Sequence, residues 1–375
     1  MKIIVLGAGQ VGTSMAEILS REENDVTLVD IDSEKLSGLQ DRIDIRTVHG
    51  AASYPSVLER AGGHDADLVL AVTNHDEVNM AACQIAHSLF HTPKKIARIR
   101  SAEYLSHREI FTDNAIPIDV IISPEHIITQ HVLHLIQYPG ALQVVNFAND
   151  RVQLVSVRAN ENSPLIGRKL KALREDLPDI DSRVAAIYRQ DRAILPDGDT
   201  VVEPGDEVFV LAAREHIHSV MSELCKVERP GRRIMLTGAG NIGLRLAERL
   251  EQLNFHVKIV EHNAKRAKQV SELLDRSVVL HGDAADEDLM TQENIDNVDA
   301  FCSLTNDDEA NILSAMLAKR LGAKRTMALV NRSAYVELME NSLVDIAISP
   351  RVATVGTLLT HVRKGDMVAV HSLRR

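Results

Sequence analysis

The sequence predicts an α/β chain in which two copies of an open parallel-sheet domain flank a small α+β module. Three observations predict it. First, an apolar run, Lys2-Ile3-Ile4-Val5-Leu6, lands on the turn Gly7-Ala8-Gly9-Gln10-Val11-Gly12, and the arrangement returns as Ile234-Met235-Leu236-Thr237 followed by Gly238-Ala239-Gly240-Asn241-Ile242-Gly243. Second, each turn opens an amphipathic segment and then a strand that ends on an acid, Asp30 in the first copy and Glu261 in the second, at equal spacing from the glycines. Third, residues 142–158 alternate apolar and polar, which marks strands with one wet face.

A strand, a G-x-G-x-x-G turn, a helix and a downstream acid together make the Rossmann dinucleotide fingerprint, which a lone glycine motif does not. The first glycine allows the tight turn, the second lets backbone touch a pyrophosphate, and the third lets helix and strand pack closely. The helix N-terminus then holds phosphate through free amides. A carboxylate at Asp30 or Glu261 would accept from the adenosine ribose hydroxyls. Strand-end acids are often merely solvated, but here both sit at the fingerprint's spacing.

Bulk properties bound the partners. At 375 residues the chain is long enough for two to three domains with separate cores. Aromatic residues are 3% and Trp is absent, so the cores must be built from Val, Ile, Leu and Ala, as buried parallel sheets are. A formal charge of −11 argues against nucleic acid and against a direct hold on anionic lipid. Cys83, Cys225 and Cys302 form neither a zinc spacing nor a disulfide framework, which suggests a reducing cytosol. A strand from residue 2 leaves no room for a signal peptide, and no run of about 18 apolar residues could span a bilayer.

In chain order, residues 1–123 form the first α/β domain. A polar helix follows Asp30 over 33–39, and strands are expected at 45–48, 67–72, 95–99 and 118–122, with a helix over 77–90. Strands separated by helices read as right-handed βαβ units, whose ligand crevice lies beyond the carboxyl ends of the strands. Gly7–Gly12, Asp30, Thr73-Asn74 and Arg98 all fall at or near those ends. Ser123-Pro124-Glu125 reads as an N-cap, a first-turn proline and an early acid, opening a crossover helix over 124–138. That helix carries His126, His131 and His134. Two of them are spaced i, i+3, but without a carboxylate or Cys partner they read as polar positions, not metal ligands.

Residues 140–225 form the α+β module, with a helix expected over 163–175, a strand over 184–188 and a final helix near 215–224. Asp197, Asp199 and Asp206 flank glycine turns and read as solvated loop acids in preference to a calcium site. A polar linker over 226–232 leads to the second α/β domain, 232–348, and its crossover helix, 350–362. His281-Gly282 matches His49-Gly50, Thr305-Asn306 matches Thr73-Asn74, Asn311 matches Asn79, and Ser349-Pro350 matches Ser123-Pro124. Residues 365–375 read as the start of a shortened second module.

This order of paired motifs resembles the family of domains that regulate potassium conductance, the RCK or KTN domains, over nearly the whole chain. The α/β domains would be RCK N-terminal domains and 140–225 an RCK C-terminal module. The resemblance implies a cytosolic, peripheral regulator that assembles as a tetrameric ring beneath a membrane potassium-uptake subunit of the TrkH type. It implies nucleotide as the input, with NAD(H) favoured by the acids and ATP or ADP also expected. Carried onto this sequence, Gly7 to Gly12 and Gly238 to Gly243 would bind phosphates, and Asp30 and Glu261 the ribose. Thr73-Asn74 and Thr305-Asn306 would close over the crevices, and Arg98 would meet the ligand's charge. Asp283 would supply the acid expected after the third strand at the second site, where the first copy has Ala51. Arg98 aligns with Leu329 and Glu125 with Arg351, so the two sites are expected to be unequal.

The competing class is an NAD-dependent oxidoreductase. That chemistry needs an acid/base and a substrate clamp set against the nicotinamide. The module offers only His216, His218 and Tyr188, with no recognisable catalytic pair, so no catalytic residue is assigned and the regulator is the preferred reading.

Overall fold

The computed structural model describes residues 1–147, 151–190, 192–225, 231–339 and 342–362. The expected second module at 365–375 lies outside the described residues, as do positions 226–230 of the linker. The chain divides into two compact units, Met1–Ile127 together with the stretch from Pro350, and Ile128–Ser349.

The first unit holds a six-stranded parallel sheet of β1 (Lys2–Leu6), β2 (Asp25–Asp30), β3 (Arg46–His49), β4 (Leu68–Ala71), β5 (Lys94–Arg98) and β6 (Val120–Ile122). Their order is β3-β2-β1-β4-β5-β6. Helices α1 (Gln10–Arg21), α2 (Ser33–Gln40), α3 (Pro55–Arg60), α4 (Asp76–Ser88) and α5 (Ala102–Ser106) connect them. Ile3 to Leu6 and Leu68 to Ala71 are buried without a break, as strands covered on both faces must be. In α1 the buried positions Gly12, Met15, Ala16 and Leu19 make one apolar stripe at helical spacing.

Helix α6 (Pro124–Gln137) leaves β6 with its proline in the first turn and carries the chain into the second unit. There the module forms a five-stranded antiparallel sheet of β7 (Ala141–Phe147), β8 (Val152–Arg158), β9 (Ser182–Arg189), β10 (Arg192–Ile194) and β11 (Glu207–Ala213), ordered β10-β9-β11-β8-β7. Helices α7 (Lys171–Asp176) and α8 (Ile217–Leu224) complete it. The helix expected over 163–175 is corrected: only α7 is helical. Residues before it make isolated bridges, Ile166 to Val202 and Lys169 to Val201. Gly167 sits at φ +72, outside helical backbone, so a helix could not run through it.

The acids of this module are also corrected in part. Asp206 is not solvated but 1% exposed, accepting from Arg189 Nε and Nη2 at 2.8 Å each. Asp199 pairs with Lys169 at 3.0 Å, and Asp197 accepts from the Thr200 hydroxyl of its own turn at 2.9 Å.

The second parallel sheet repeats the first. It contains β12 (Arg233–Thr237), β13 (His256–Glu261), β14 (Val278–His281), β15 (Ala300–Ser303), β16 (Thr326–Leu329) and β17 (Ile346–Ile348), ordered β14-β13-β12-β15-β16-β17. Its helices are α9 (Asn241–Gln252), α10 (Ala264–Ser271), α11 (Glu287–Gln292), α12 (Asp308–Arg320) and α13 (Ser333–Met339).

Where the last helix, α14 (Pro350–Val362), goes was not legible in its sequence. It follows β17, yet Val355, Leu358, Leu359 and Val362 join the apolar core of the first sheet with Met15, Leu19 and Ile122. Lys94 Nζ donates to the carbonyl of His361 near the helix end. In the second unit the repeat-equivalent Arg325 donates from Nη1 to Leu135 O at 2.7 Å, and from Nη2 to Ala141 O. Burial pulls the Arg325 pKa down to about 10, so it remains a cation at neutral pH and caps the end of α6.

All three cysteines are free and buried, and burial pushes their thiols up, to about 12 for Cys83 and Cys302 and about 11 for Cys225. At pH 8 the thiolate fraction is then on the order of one in a thousand or less. Labelling with a thiol-disulfide reagent at pH 8 should leave the native chain unmodified over minutes and mark all three sites after denaturation. Fast native labelling of any cysteine would contradict this burial.

Candidate functional site

In each parallel sheet the strand order reverses between the first and fourth strands, so a crevice opens there at the carboxyl edge. The turn after β1 lines one side. Gly7 sits at φ +104, and a side chain there would press to 3.0 Å on Thr73 Cα, so the turn after β4 lies directly against it. Gly238 at φ +87 meets Thr305 in the same way. Gly7 and Thr73 are thus brought together, as are Gly238 and Thr305, and Asn74 and Asn306 stand exposed beside them.

The three glycines of each turn differ in what needs them. A Cβ on Gly12 would lie 1.9 Å from the Gly7 carbonyl oxygen, and one on Gly243 2.0 Å from that of Gly238, so these are demanded by helix–strand packing. Gly9 and Gly240 have ordinary φ values, −75 and −68, and a Cβ on either would meet nothing within 4 Å. No contact inside the chain requires glycine there. The space is open, and it lies over the N-terminus of α1 or α9, where no side chain caps the helix and no acid stands in the first turn. Gln10-Val11 and Asn241-Ile242 form those first turns.

The strand-end acids hold the turns. Asp30 accepts from the Ala8 amide at 2.5 Å and the Asp32 amide at 2.9 Å. Glu261 accepts from the Ala239 amide at 2.7 Å and the Asn263 amide at 2.9 Å. Each carboxylate has two oxygens with about four acceptor positions, so both keep capacity for hydroxyl donors. His49 and His281 each place Nε2 at 3.1 Å from a carbonyl of the loop after the acid, Ile31 O and His262 O.

Arg98, at the end of β5, is part-buried, and its Nε is buried with no hydrogen-bond partner. Burial first, and then the neighbouring Arg100, lower its pKa. A buried guanidinium nitrogen left unpaired is costly unless an external acceptor arrives. Asp283, by contrast, is exposed and accepts from the Ala285 amide of its own turn at 2.8 Å.

Sequence reasoning missed the residue that organises each crevice. Asn79 is wholly buried. Its Oδ1 accepts from the Thr73 amide at 3.0 Å and hydroxyl at 2.7 Å, while Nδ2 donates to Arg98 O at 2.9 Å. Asn311 repeats this with Thr305 at 2.9 and 2.6 Å and Leu329 O at 2.9 Å. Asp76 fixes the next loop by accepting from the Arg100 and Ser101 amides at 2.9 and 2.8 Å, and Asp308 does so from those of Asn331 and Arg332. The recurrence of Asn79 as Asn311 was the one available signal.

Residues 3–124 and again 234–350 match the TrkA-N domain family, and 154–224 match the TrkA-C domain family. The chain belongs to the TrkA family. It is 59% identical over 375 residues to the Trk system potassium uptake protein TrkA of Halomonas elongata and 57% identical to that of Vibrio alginolyticus, spanning all of itself and 82% of each. Among solved structures it resembles the GsuK RCK domain, with TM-score 0.70 and 18% identity over 95% of this chain and 75% of that one. It also resembles the GsuK channel bound to NAD, with TM-score 0.70 and 17% identity over 96% and 64%. At such identity these structures show the shared fold, that of tandem RCK domains. The TrkA-N matches coincide with the two parallel sheets and their crevices.

Proposed function

We propose that this TrkA-family chain is the regulatory subunit of a Trk-type potassium uptake system, and not an enzyme. It would read nucleotide at its two crevices and pass the result to a membrane potassium-translocating subunit of the TrkH type. No helix among the described residues is long and apolar enough to cross a membrane, so the ion path is assigned to that partner. The chain would work as a homo-oligomer, a tetrameric ring docked at the inner face of the cell membrane. The named relatives and the RCK fold support this reading.

The observation that carries nucleotide binding is the open space over Gly9 and Gly240. A bound nucleotide would bring anionic phosphates and ribose hydroxyls. The helix N-termini at Gly9–Gly12 and Gly240–Gly243 would hold the phosphates through backbone amides. Asp30 and Glu261 would accept from the ribose, Thr73-Asn74 and Thr305-Asn306 would flank it, and Arg98 would meet negative charge in the first crevice only. NAD(H), ATP and ADP all present these groups. A nucleotide gates the partner only by the difference in its affinity for two states of the assembly.

Gly9→Ala and Gly240→Ala test this. Neither added methyl meets the protein, so each variant should keep its stability within about 0.5 kcal/mol. Calorimetric titration of NADH and ATP should show one binding event lost or weakened at least about tenfold in each. Unchanged binding of every nucleotide in both variants would overturn the reading.

A further inference from the structure

One cation near the first crevice comes from the far end of the chain. Arg351, in the first turn of α14, places Nη1 3.3 Å from Ser14 Oγ on α1. Ser14 lies four residues beyond Gln10, whose carbonyl its hydroxyl bonds at 2.8 Å, so the two positions share one face of the helix. Among the described residues no carboxylate pairs with Arg351. Glu17, the next acid along α1, is held by Arg21 at 2.7 Å. A part-buried guanidinium is therefore set within about 6 Å of the first turn of a helix N-terminus that itself carries partial positive charge. Two positive centres with only a neutral hydroxyl between them are mutually unfavourable. An anion lying between the phosphate turn and Arg351 would relieve both.

The repeat makes this arrangement specific to one crevice. Glu125 occupies the position equivalent to Arg351, and it accepts from Arg100 Nε at 2.6 Å. Leu329 occupies the position of Arg98. The repeat equivalents of the first crevice's two cations are thus a leucine, Leu329, and an acid, Glu125, so the pair Arg98 and Arg351 has no counterpart elsewhere in the repeat.

We propose that Arg351 is the terminal-phosphate ligand of the first crevice and makes that crevice selective for a nucleoside triphosphate over a dinucleotide. The proposal rests on the nucleotide reading above. A phosphate chain that starts on the amides of Gly9–Gly12 and runs along α1 reaches Ser14 only at its distal end. In a triphosphate that end is a free, multiply charged phosphate, which a guanidinium can grip through two parallel hydrogen bonds. In a dinucleotide the second phosphate carries a single charge and is esterified to another ribose, which occupies that space.

The test is titration of ATP, ADP and NADH into the full chain as wild type, Arg351→Gln, Arg351→Lys and Asp30→Ala, with Asp30→Ala marking which event belongs to the first crevice. Arg351→Gln should weaken the Asp30-dependent ATP event about tenfold, ADP less, and NADH less than about twofold, with Arg351→Lys in between. Thermal midpoints of the free variants check that Arg351→Gln still folds, and Arg351→Lys tests the same point with the charge retained. An Asp30-dependent ATP event unchanged in Arg351→Gln, or ATP and NADH weakened alike, overturns the proposal and leaves the nucleotide reading intact. No Asp30-dependent event in wild type overturns both.

Discussion

Gly12→Ala is expected to collapse the first nucleotide turn and destabilise its unit by about 3 kcal/mol or more, because the new methyl would sit 1.9 Å from the Gly7 carbonyl oxygen. Backbone has to move, since the clash is not with the flexible end of a side chain. The helix cannot retreat freely, because Met15, Ala16 and Leu19 are wholly or almost wholly buried beneath it. The turn cannot relax easily either, for Gly7 donates to Val29 O at 2.8 Å and Ala8 is held by Asp30. Against a typical total of 5–15 kcal/mol this is a large fraction, and scanning calorimetry should show a midpoint about 6–12 °C lower. Gly243→Ala should do the same to the second unit. Midpoints within about 2 °C of wild type for both would show that the turns tolerate a side chain. The contrast with Gly9→Ala, which should spare the fold and lose the ligand, separates the two demands on one motif.

Asn79→Ala should be nearly as damaging. It removes an acceptor and a donor that together join the end of β4 to the end of β5, leaving the Thr73 amide and the Arg98 carbonyl without their partner. Each buried backbone group left unsatisfied costs about 1–3 kcal/mol, so a loss of roughly 3 kcal/mol is expected. Asn79→Asp should recover only part, because it keeps the acceptor for Thr73 and has no donor for Arg98 O. Hydrogen exchange should quicken first at the Thr73 amide, ahead of the sheet interior. Wild-type protection at that amide in Asn79→Ala would mean that Asn79 does not hold the crevice together. Asn311→Ala is the matching test in the second unit, where Ser303 Oγ also donates to Asn311 Oδ1 at 2.9 Å.

The glycine turns and the strand-end acids were legible because their meaning is local. A strand, a turn and a helix follow one another within a dozen residues, and the chain writes the pattern twice. The sheet order could be expected from the alternation of strands and helices for the same reason. Asn79 and Asp76 were not legible in their roles, since their partners are backbone groups on the next strand and loop, which leave no trace in residue type. Arg351 was visible only as a mismatch with Glu125, its approach to Ser14 depending on where α14 packs. The over-long helix at 163–175 fails at Gly167: Ser163-Pro164 is as compatible with a helix start as Ser123-Pro124, but the glycine takes left-handed backbone that ends any helix there.

The packing of α14 on the first sheet has a consequence for biosynthesis. A ribosome releases β1 to β6 and α1 to α5 long before it makes residues 350–362, so the nascent first sheet waits with part of its apolar face open to water. The whole intervening module and second sheet must be translated before Leu358 and Leu359 can cover it. Contacts of such sequence separation slow folding and lengthen the exposure of sticky surface. Chaperone dependence in this protein should therefore fall on its first-made domain, the one that in most chains would be finished soonest.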